Sequence, residues 1–261
     1  MGSTAHDAQF NRTTIYISLG LAVALVLGVL VGARVFFNRV ALQPVAMTQV
    51  PAPEAGSAVG IPVTREVILD GARELTEAER SHLGLPVFVK PANGGSSIGV
   101  SKVTSWEALP AAVSLALESD GKVIVEAELV GDEVEVGVLE RPDGTIAASV
   151  PAKLNGTEDS AEGFYGFETK YLEEGVTATI PAPYSDELIA QLQEMAVTCF
   201  RALDCKSLAR VDFFVTDNGP VLNEINTMPG FTAISMYPQV WAATGVDYPE
   251  LLDTLIRTAL R

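Results

Sequence analysis

Residues Leu208 to Gly230 have the sequence L-A-R-V-D-F-F-V-T-D-N-G-P-V-L-N-E-I-N-T-M-P-G. Two apolar-rich runs flank the T-D-N-G cluster at residues 216–219, and such a cluster is typical of the turn of a β-hairpin. The stretch therefore predicts two antiparallel strands joined by a short turn. We expect this hairpin to be the chemical centre of the protein.

The predicted hairpin places four polar residues on one face. With the turn centred on Asn218, Asp212 lies opposite Glu224, and Arg210 lies opposite Asn226. Side chains alternate along a strand with a period of two, so all four share a face. Like charges that face each other destabilise a sheet, which indicates that a cation sits between the two carboxylates.

Two facing carboxylates and an amide are oxygen ligands of the kind that Mg²⁺ or Mn²⁺ prefers, with substrate phosphates completing the coordination. A solvated strand face is the alternative for one carboxylate alone. The facing pair, the neighbouring arginine and the N-T-M-P-G that follows favour a metal site.

Composition limits the possible functions. The 261 residues carry a net charge of -16, and no basic stretch offsets it, which argues against nucleic acid as a partner. The two cysteines, Cys199 and Cys205, have neither a metal-binding spacing nor a disulfide framework, so they are expected to be core thiols in a reduced compartment.

The amino-terminal region differs from the rest of the chain. Residues 15–33 carry no charge and are numerous enough to cross a bilayer as a helix. A signal peptide is the alternative, but the arginines at positions 34 and 39 favour an anchor. We expect a tail over 1–14, a transmembrane helix over 15–37 and a Pro/Ala-rich linker over 38–60.

The remaining residues, 61–261, are expected to form one α+β domain. A strand is predicted over 61–69, and another at 87–90 that leads into the P-A-N-G-G-S-S-I-G loop. Small residues let backbone N–H groups approach a phosphate, and a lysine ending the strand supplies charge. Taken alone, such a loop is more often a simple turn. Helices are predicted over 105–117, capped by Thr104 or Ser105, and over 185–202 and 249–260.

Two further glutamates and a long polar segment complete the pattern. Glu126 and Glu133 are predicted to flank one turn at a sheet edge, either as ordinary surface residues or as ligands of a base and a ribose. Residues 154–174 are polar but contain four aromatic residues, which favours a lid over a site rather than a disordered loop.

Four stretches together resemble the D-alanine–D-alanine ligase family, whose fold is called ATP-grasp. They are V-F-V-K-P-A-N-G-G-S-S-I-G-V-S, V-I-V-E-A-E-L-V-G-D-E, F-Y-G-F-E-T-K-Y and A-R-V-D-F-F followed by N-E-I-N-T-M-P-G-F-T. They occur in the family's order and correspond to its carboxyl-terminal two-thirds. The resemblance implies a ligase that makes D-alanyl-D-alanine for peptidoglycan through a D-alanyl phosphate intermediate.

The resemblance also implies roles for individual residues. Those expected to bind ATP are Lys90, Glu126, Glu133, Phe164 and Lys170. Those expected to hold two Mg²⁺ or Mn²⁺ ions are Asp212, Glu224 and Asn226. Those expected at the reacting groups are Arg210, Gly230, Ser96 and Tyr171, and those expected to hold the second D-alanine are Ser235 and Met236.

The sequence also departs from the family. Gly166 occupies a lid position where an acidic residue is common, which is expected to change lid flexibility. The family's amino-terminal substrate domain has no counterpart, so we expect an incomplete ATP-grasp protein after the membrane segment. The main hypothesis is a ligase whose catalytic region lies in the cytoplasm. The family likeness suggests a homodimer. The alternative is an ATP- and metal-binding remnant or a truncated fusion.

Overall fold

The computed structural model describes residues 59–93, 97–156, 177–232 and 234–261. All of them belong to one unit of the chain, Met47–Arg261. The predicted tail, transmembrane helix and linker before residue 59 lie outside the described residues. None of the helices within the described part is long and apolar enough to span a bilayer.

Ten strands in the described residues form two sheets. The four-stranded sheet has the order β1-β4-β2-β3, and the six-stranded sheet has the order β10-β9-β5-β7-β8, with β6 paired to β5. The strands are β1 Glu66–Asp70, β2 Val87–Pro91, β3 Ser101–Val103, β4 Lys122–Ala127, β5 Asp132–Glu140, β6 Ile146–Ala148, β7 Ala152–Asn155, β8 Thr177–Thr179, β9 Leu208–Thr216 and β10 Gly219–Asn226.

Five helices lie wholly within the described residues. They are α1 Glu77–Leu83, α2 Leu109–Leu117, α3 Asp186–Ala202, α4 Met236–Ala243 and α5 Tyr248–Ala259. The helix starts have local causes. Thr76 and Glu79 form a capping box at α1, and the Ser185 hydroxyl accepts from the Leu188 N–H at the start of α3.

The four-stranded sheet buries one face against α1 and α2. Val87, Val89, Val123 and Val125 belong to this core. In β2 the buried valines alternate with Phe88 and Lys90, which therefore lie on the opposite face of the sheet. This second face therefore carries Lys90, one of the residues predicted to bind ATP.

The six-stranded sheet is covered differently on its two faces. Alternate β5 residues Val134, Val136 and Val138 pack with α3 in one core. On the other face, Leu139 packs with Tyr237 and Trp241 of α4. On this face α4 therefore packs on the end of β5.

Two predicted boundaries are wrong. The strand predicted over 61–69 is split: Val63 forms a parallel bridge with Leu222 of the six-stranded sheet, and pairing with β4 begins only at Glu66. The helix predicted from Ser105 begins at Leu109 instead. Pro110 explains this start, because proline is tolerated in the first turn of a helix but clashes in its interior.

Several short elements were not predicted, namely β3, β6, β7, β8 and α4. The strands have three or four residues each, too few for a clear alternation. The first residues of the predicted lid, 154–155, end strand β7. Residues 157–174 of that lid lie outside the described residues.

A glycine allows α4 to lie against the sheet, and this gives a test of the packing. A Cβ at Gly137 would lie 2.8 Å from Trp241 Nε1 and 3.1 Å from Val240 Cγ2. We expect Gly137→Ala to destabilise the protein by about 1–3 kcal/mol through overpacking. Urea unfolding of the full chain measures the change.

Gly121→Ala is the matched control. A Cβ at Gly121 meets nothing within 4 Å, and this glycine has no positive φ. Its substitution by alanine should leave the urea concentration at the unfolding midpoint nearly unchanged. Equal midpoints for both variants would show that α4 does not depend on the close approach at Gly137.

Candidate functional site

The predicted pairing across the hairpin is confirmed. Asp212 lies opposite Glu224, and Arg210 lies opposite Asn226. The turn itself differs from the prediction, because Thr216 pairs with Gly219 and only two residues form the loop. A register shift later in β10 compensates for the shorter turn.

The register shift is a β-bulge at Asn223. Leu222 pairs with Phe213, whereas Glu224 pairs with the next residue, Asp212, so Asn223 is an extra residue on β10. In a regular strand, Leu222 and Glu224 would point to the same face. The bulge reverses the alternation, so that Leu222 is buried in the core while Glu224 joins Asp212 on the site face.

The four hairpin residues form one polar cluster. Arg210 donates from Nε to Asp212 Oδ1 at 2.8 Å and from Nη2 to Asp212 Oδ2 at 2.7 Å. Asn226 Nδ2 donates to Asp212 Oδ2 at 2.9 Å and to Glu224 Oε1 at 3.1 Å. The arginine therefore supplies the positive charge that the facing carboxylates require in this structure.

Sequence reasoning missed one member of this cluster, Glu135. It is only 5% exposed and lies opposite Asp212 across the pairing of β5 with β9. Arg210 Nε is 3.2 Å from Glu135 Oε2. A charged residue in the otherwise apolar run from Val134 to Leu139, two positions after Glu133, was the available signal.

Burial would by itself lower the pKa of Arg210, but the charges of Asp212 and Glu135 outweigh this effect. They hold its pKa well above the ordinary value, and Glu224 contributes in the same direction. Arg210 is therefore charged at neutral pH. The cluster is an ion network of one cation and three carboxylates.

Lys90 on the four-stranded sheet points towards the same region. Its Nζ lies 2.8 Å from Glu126 Oε1. Burial opposes the charge of Lys90, but Glu126 and Glu224 together raise its pKa above the ordinary value. Because Glu224 belongs to the other sheet, the polar faces of the two sheets lie close together at Lys90 and Glu224, and we call the region between them the cleft.

The predicted relation between Glu126 and Glu133 is wrong. Glu126 lies in β4, a central strand of the four-stranded sheet, whereas Glu133 lies in β5 of the six-stranded sheet. The segment between them passes from one sheet to the other. Glu133 pairs with Phe214 and shares the site face with Glu135. The two predicted residues thus come from different sheets, and Glu126 contacts Lys90.

The residues predicted for the second substrate lie at the start of α4. A Cβ on Gly230 would lie 3.0 Å from Ser235 Oγ, and this oxygen also accepts a hydrogen bond from the Thr232 N–H at 3.0 Å. Met236 packs with the core beneath α4. Gly230 and Ser235 are therefore neighbours, as a shared site would require.

Four predicted site residues fall outside the described residues, and their roles stay predictions. They are Ser96, Phe164, Lys170 and Tyr171, together with the lid position Gly166.

The donor set fits a hard divalent cation. The hairpin offers two carboxylates and the amide of Asn226, all within one hydrogen-bonded cluster. Within the described ranges, no three His, Cys, Asp or Glu side chains come together as a group that could hold a metal ion, so the amide of Asn226 is part of the donor set. Magnesium and manganese suit such a site, since phosphates commonly supply their remaining ligands.

The two-sheet cleft and its carboxylate hairpin define an α+β domain of the ATP-grasp type. A family model described as "D-ala D-ala ligase C-terminus" matches residues 55–257. The chain therefore belongs to the D-alanine–D-alanine ligase family, through that carboxyl-terminal region.

Relatives with curated names agree with this assignment. The chain is 66% identical to a D-alanine--D-alanine ligase of Corynebacterium efficiens over 204 residues, which cover 78% of this chain and 56% of the relative. A ligase of the same name from Corynebacterium urealyticum is 57% identical over 232 residues, covering 89% of this chain and 64% of the relative. The chain thus spans a little over half the length of these relatives.

Solved structures show the same fold. VanG D-Ala:D-Ser ligase from Enterococcus faecalis is 34% identical, with a TM-score of 0.69, covering 82% of this chain and 62% of that one. The D-alanine-D-alanine ligase from Coxiella burnetii is also 34% identical, with a TM-score of 0.68, covering 83% of this chain and 57% of that one.

Removing the arginine tests the ion network. We expect Arg210→Met to destabilise the protein by about 3 kcal/mol at neutral pH, because it leaves buried carboxylates without their cation. Those carboxylates then have folded-state pKa values above their unfolded values. The loss of unfolding free energy relative to the parent therefore becomes smaller as the pH falls towards roughly 4. Denaturant unfolding at several pH values measures this.

Arg257→Met is the control for the lost charge. Arg257 pairs with Asp253 at the surface, where the two side chains are 68% and 57% exposed. Exposed pairs contribute about 0–1 kcal/mol, so this variant should unfold almost as the parent does. A loss of unfolding free energy in Arg210→Met that does not change with pH would contradict the ion network.

Proposed function

We propose that the region 61–261 catalyses the ATP-dependent joining of two D-alanine molecules, a step of peptidoglycan precursor synthesis. The observation that supports this most is the buried cluster of Arg210 and three carboxylates, which faces Lys90 across the cleft. Family membership gives the reaction class, and the cleft offers cations and oxygen ligands where a transferred phosphate would need them.

ATP would bind between the two sheets. Lys90 would turn from Glu126 to the phosphates, and Glu126 and Glu133 would contact the adenine and ribose from opposite sides. Phe164 and Lys170 of the predicted lid would complete the nucleotide site. Divalent cations at Asp212, Glu224 and Asn226 would neutralise phosphate charge.

The chemistry would need no side-chain nucleophile. A carboxylate oxygen of the first D-alanine attacks the γ-phosphorus of ATP, and ADP leaves. The amine of the second D-alanine then attacks the acyl carbon and loses a proton, and phosphate leaves. Arg210 and the Gly230 N–H would stabilise the oxyanion, while Ser96 and Tyr171 would line the first site. Ser235 and Met236 would hold the second carboxylate.

Finer assignments belong to the same proposal. We expect two Mg²⁺ or Mn²⁺ ions per site and a homodimer in solution. The catalytic region would act on the cytoplasmic side, where ATP is available, and the anchor at 15–37 is a prediction from sequence. Membrane fractionation of the full chain tests the anchor, and light scattering in detergent tests the dimer.

The activity itself is tested with the full 261-residue chain. ATP, Mg²⁺ and D-alanine should yield D-alanyl-D-alanine and one phosphate per dipeptide. Asp212→Ala should lower the rate by at least about 100-fold, since charge-stabilising groups at the transferring phosphoryl contribute on this scale. Lys206→Ala is the control, because the Lys206 side chain is 69% exposed in a surface pair with Asp204.

The outcomes separate the two hypotheses. Dipeptide that depends on Asp212 supports the ligase. ATP binding without dipeptide supports a nucleotide-binding remnant, because the chain spans little more than half of the relatives named above. Absence of ATP binding by the folded chain would overturn the proposed nucleotide site.

Lys90 provides a separate test of nucleotide binding. We expect Lys90→Met to weaken the binding of a non-hydrolysable ATP analogue by about 10-fold or more, because hydrogen bonds to charged groups contribute about 1.5–3 kcal/mol. Calorimetry measures the affinity, with Lys206→Met as the control. Unchanged affinity in Lys90→Met would remove Lys90 from the phosphate site.

A further inference from the structure

Glu135 has no role in the proposed reaction, yet it is the most buried carboxylate of the cluster. It is 5% exposed, against 8% for Asp212. Burying a carboxylate in a central strand is costly unless a cation is close. Here the cation is Arg210, whose Nε lies 3.2 Å from Glu135 Oε2. The guanidinium therefore has carboxylates close to it on two strands, β5 and β9.

Arg210 makes its shorter bonds to Asp212, at 2.8 and 2.7 Å. These bonds engage both oxygens of a carboxylate that is proposed to ligate a divalent cation. A cation at Asp212 would compete for those oxygens and would repel the neighbouring guanidinium. For Asp212 to turn to the cation, the guanidinium needs another acceptor that keeps it buried and paired.

Glu135 meets that requirement. It lies directly opposite Asp212 across the sheet and already contacts Arg210, so only a short movement transfers the guanidinium to it. The charges agree: Arg210 with Asp212, Glu224 and Glu135 has a formal net charge of -2, which the first divalent cation to bind neutralises. Without the charge of Glu135 the cluster would be -1, and a cation would leave it positive.

We propose that Glu135 is a positioning residue that accepts the Arg210 guanidinium when Asp212 ligates a divalent cation, and that it thereby sets the affinity for that cation. This inference rests on the metal site of the proposed function. The cluster then has two arrangements. Arg210 pairs mainly with Asp212 in the absence of metal and mainly with Glu135 in its presence.

Glu135→Gln tests the exchange, because it retains the size of the side chain and an acceptor oxygen but removes the charge. Mn²⁺ binding to the full chain is measured by electron paramagnetic resonance, without nucleotide and with the ATP analogue. We expect Mn²⁺ affinity to fall by about 10- to 100-fold, the usual range for residues that support metal ligands. Mn²⁺ should also raise the melting temperature less than in the parent.

Glu140→Gln is the matched control. Glu140 ends the same strand, and its Oε1 lies 2.7 Å from Arg261 Nη2, with a side chain 14% exposed. The Glu140→Gln substitution therefore removes a similar ion pair from β5 and leaves Asp212 with all its contacts. The control should bind Mn²⁺ as the parent does, even if both variants lose some stability in the absence of metal.

The failures are distinguishable. Parent-like Mn²⁺ affinity in folded Glu135→Gln, with affinity lost in Asp212→Ala, would overturn the exchange and leave the metal site intact. Parent-like affinity in Asp212→Ala would overturn the metal site itself. Equal weakening in Glu135→Gln and Glu140→Gln would show that Glu135 acts only through general stability.

Discussion

The pairing of Arg210 with carboxylates on neighbouring strands is the interaction on which the rest of the site depends. Asp212 shares its strand, Glu135 comes from β5, and Glu224 of β10 lies close enough to raise the pKa of Arg210. Three carboxylates on three adjacent strands would repel one another without a cation. Arg210 therefore stabilises the sheet and holds the acidic groups together at the proposed metal site.

The second constraint is the separation of apolar and polar faces. The bulge at Asn223 keeps Leu222 in the core while turning Glu224 to the cleft. On β5, Gly137 lets α4 approach the sheet, so the helix packs on the end of the strand, whereas Glu133 and Glu135 lie nearer its start. One extra residue and one missing side chain thus determine which part of this face remains available for chemistry.

Sequence reasoning predicted the hairpin partners correctly although it predicted the wrong turn. The predicted turn was centred on Asn218, whereas the observed turn has a two-residue loop that is followed by a bulge. Both give the same residue pairs at the site. Glu126 and Glu133 were predicted to flank one turn at a sheet edge, and this relation was wrong, because nothing local signals that the chain changes sheets between them. Glu135 was missed since one glutamate in an apolar strand has no partner in the sequence itself.

The sequence alone determined the chemistry of the two strands around residues 208–226, because alternation, turn residues and residue type act over a few neighbours. It also determined the family, through four stretches in a fixed order. Only the tertiary structure decided that Lys90 and Glu224 lie close together, that Glu135 joins Arg210, and that α4 packs on the end of β5. These relations join residues far apart in the chain, and they follow from how the two sheets and their helices pack rather than from any local pattern.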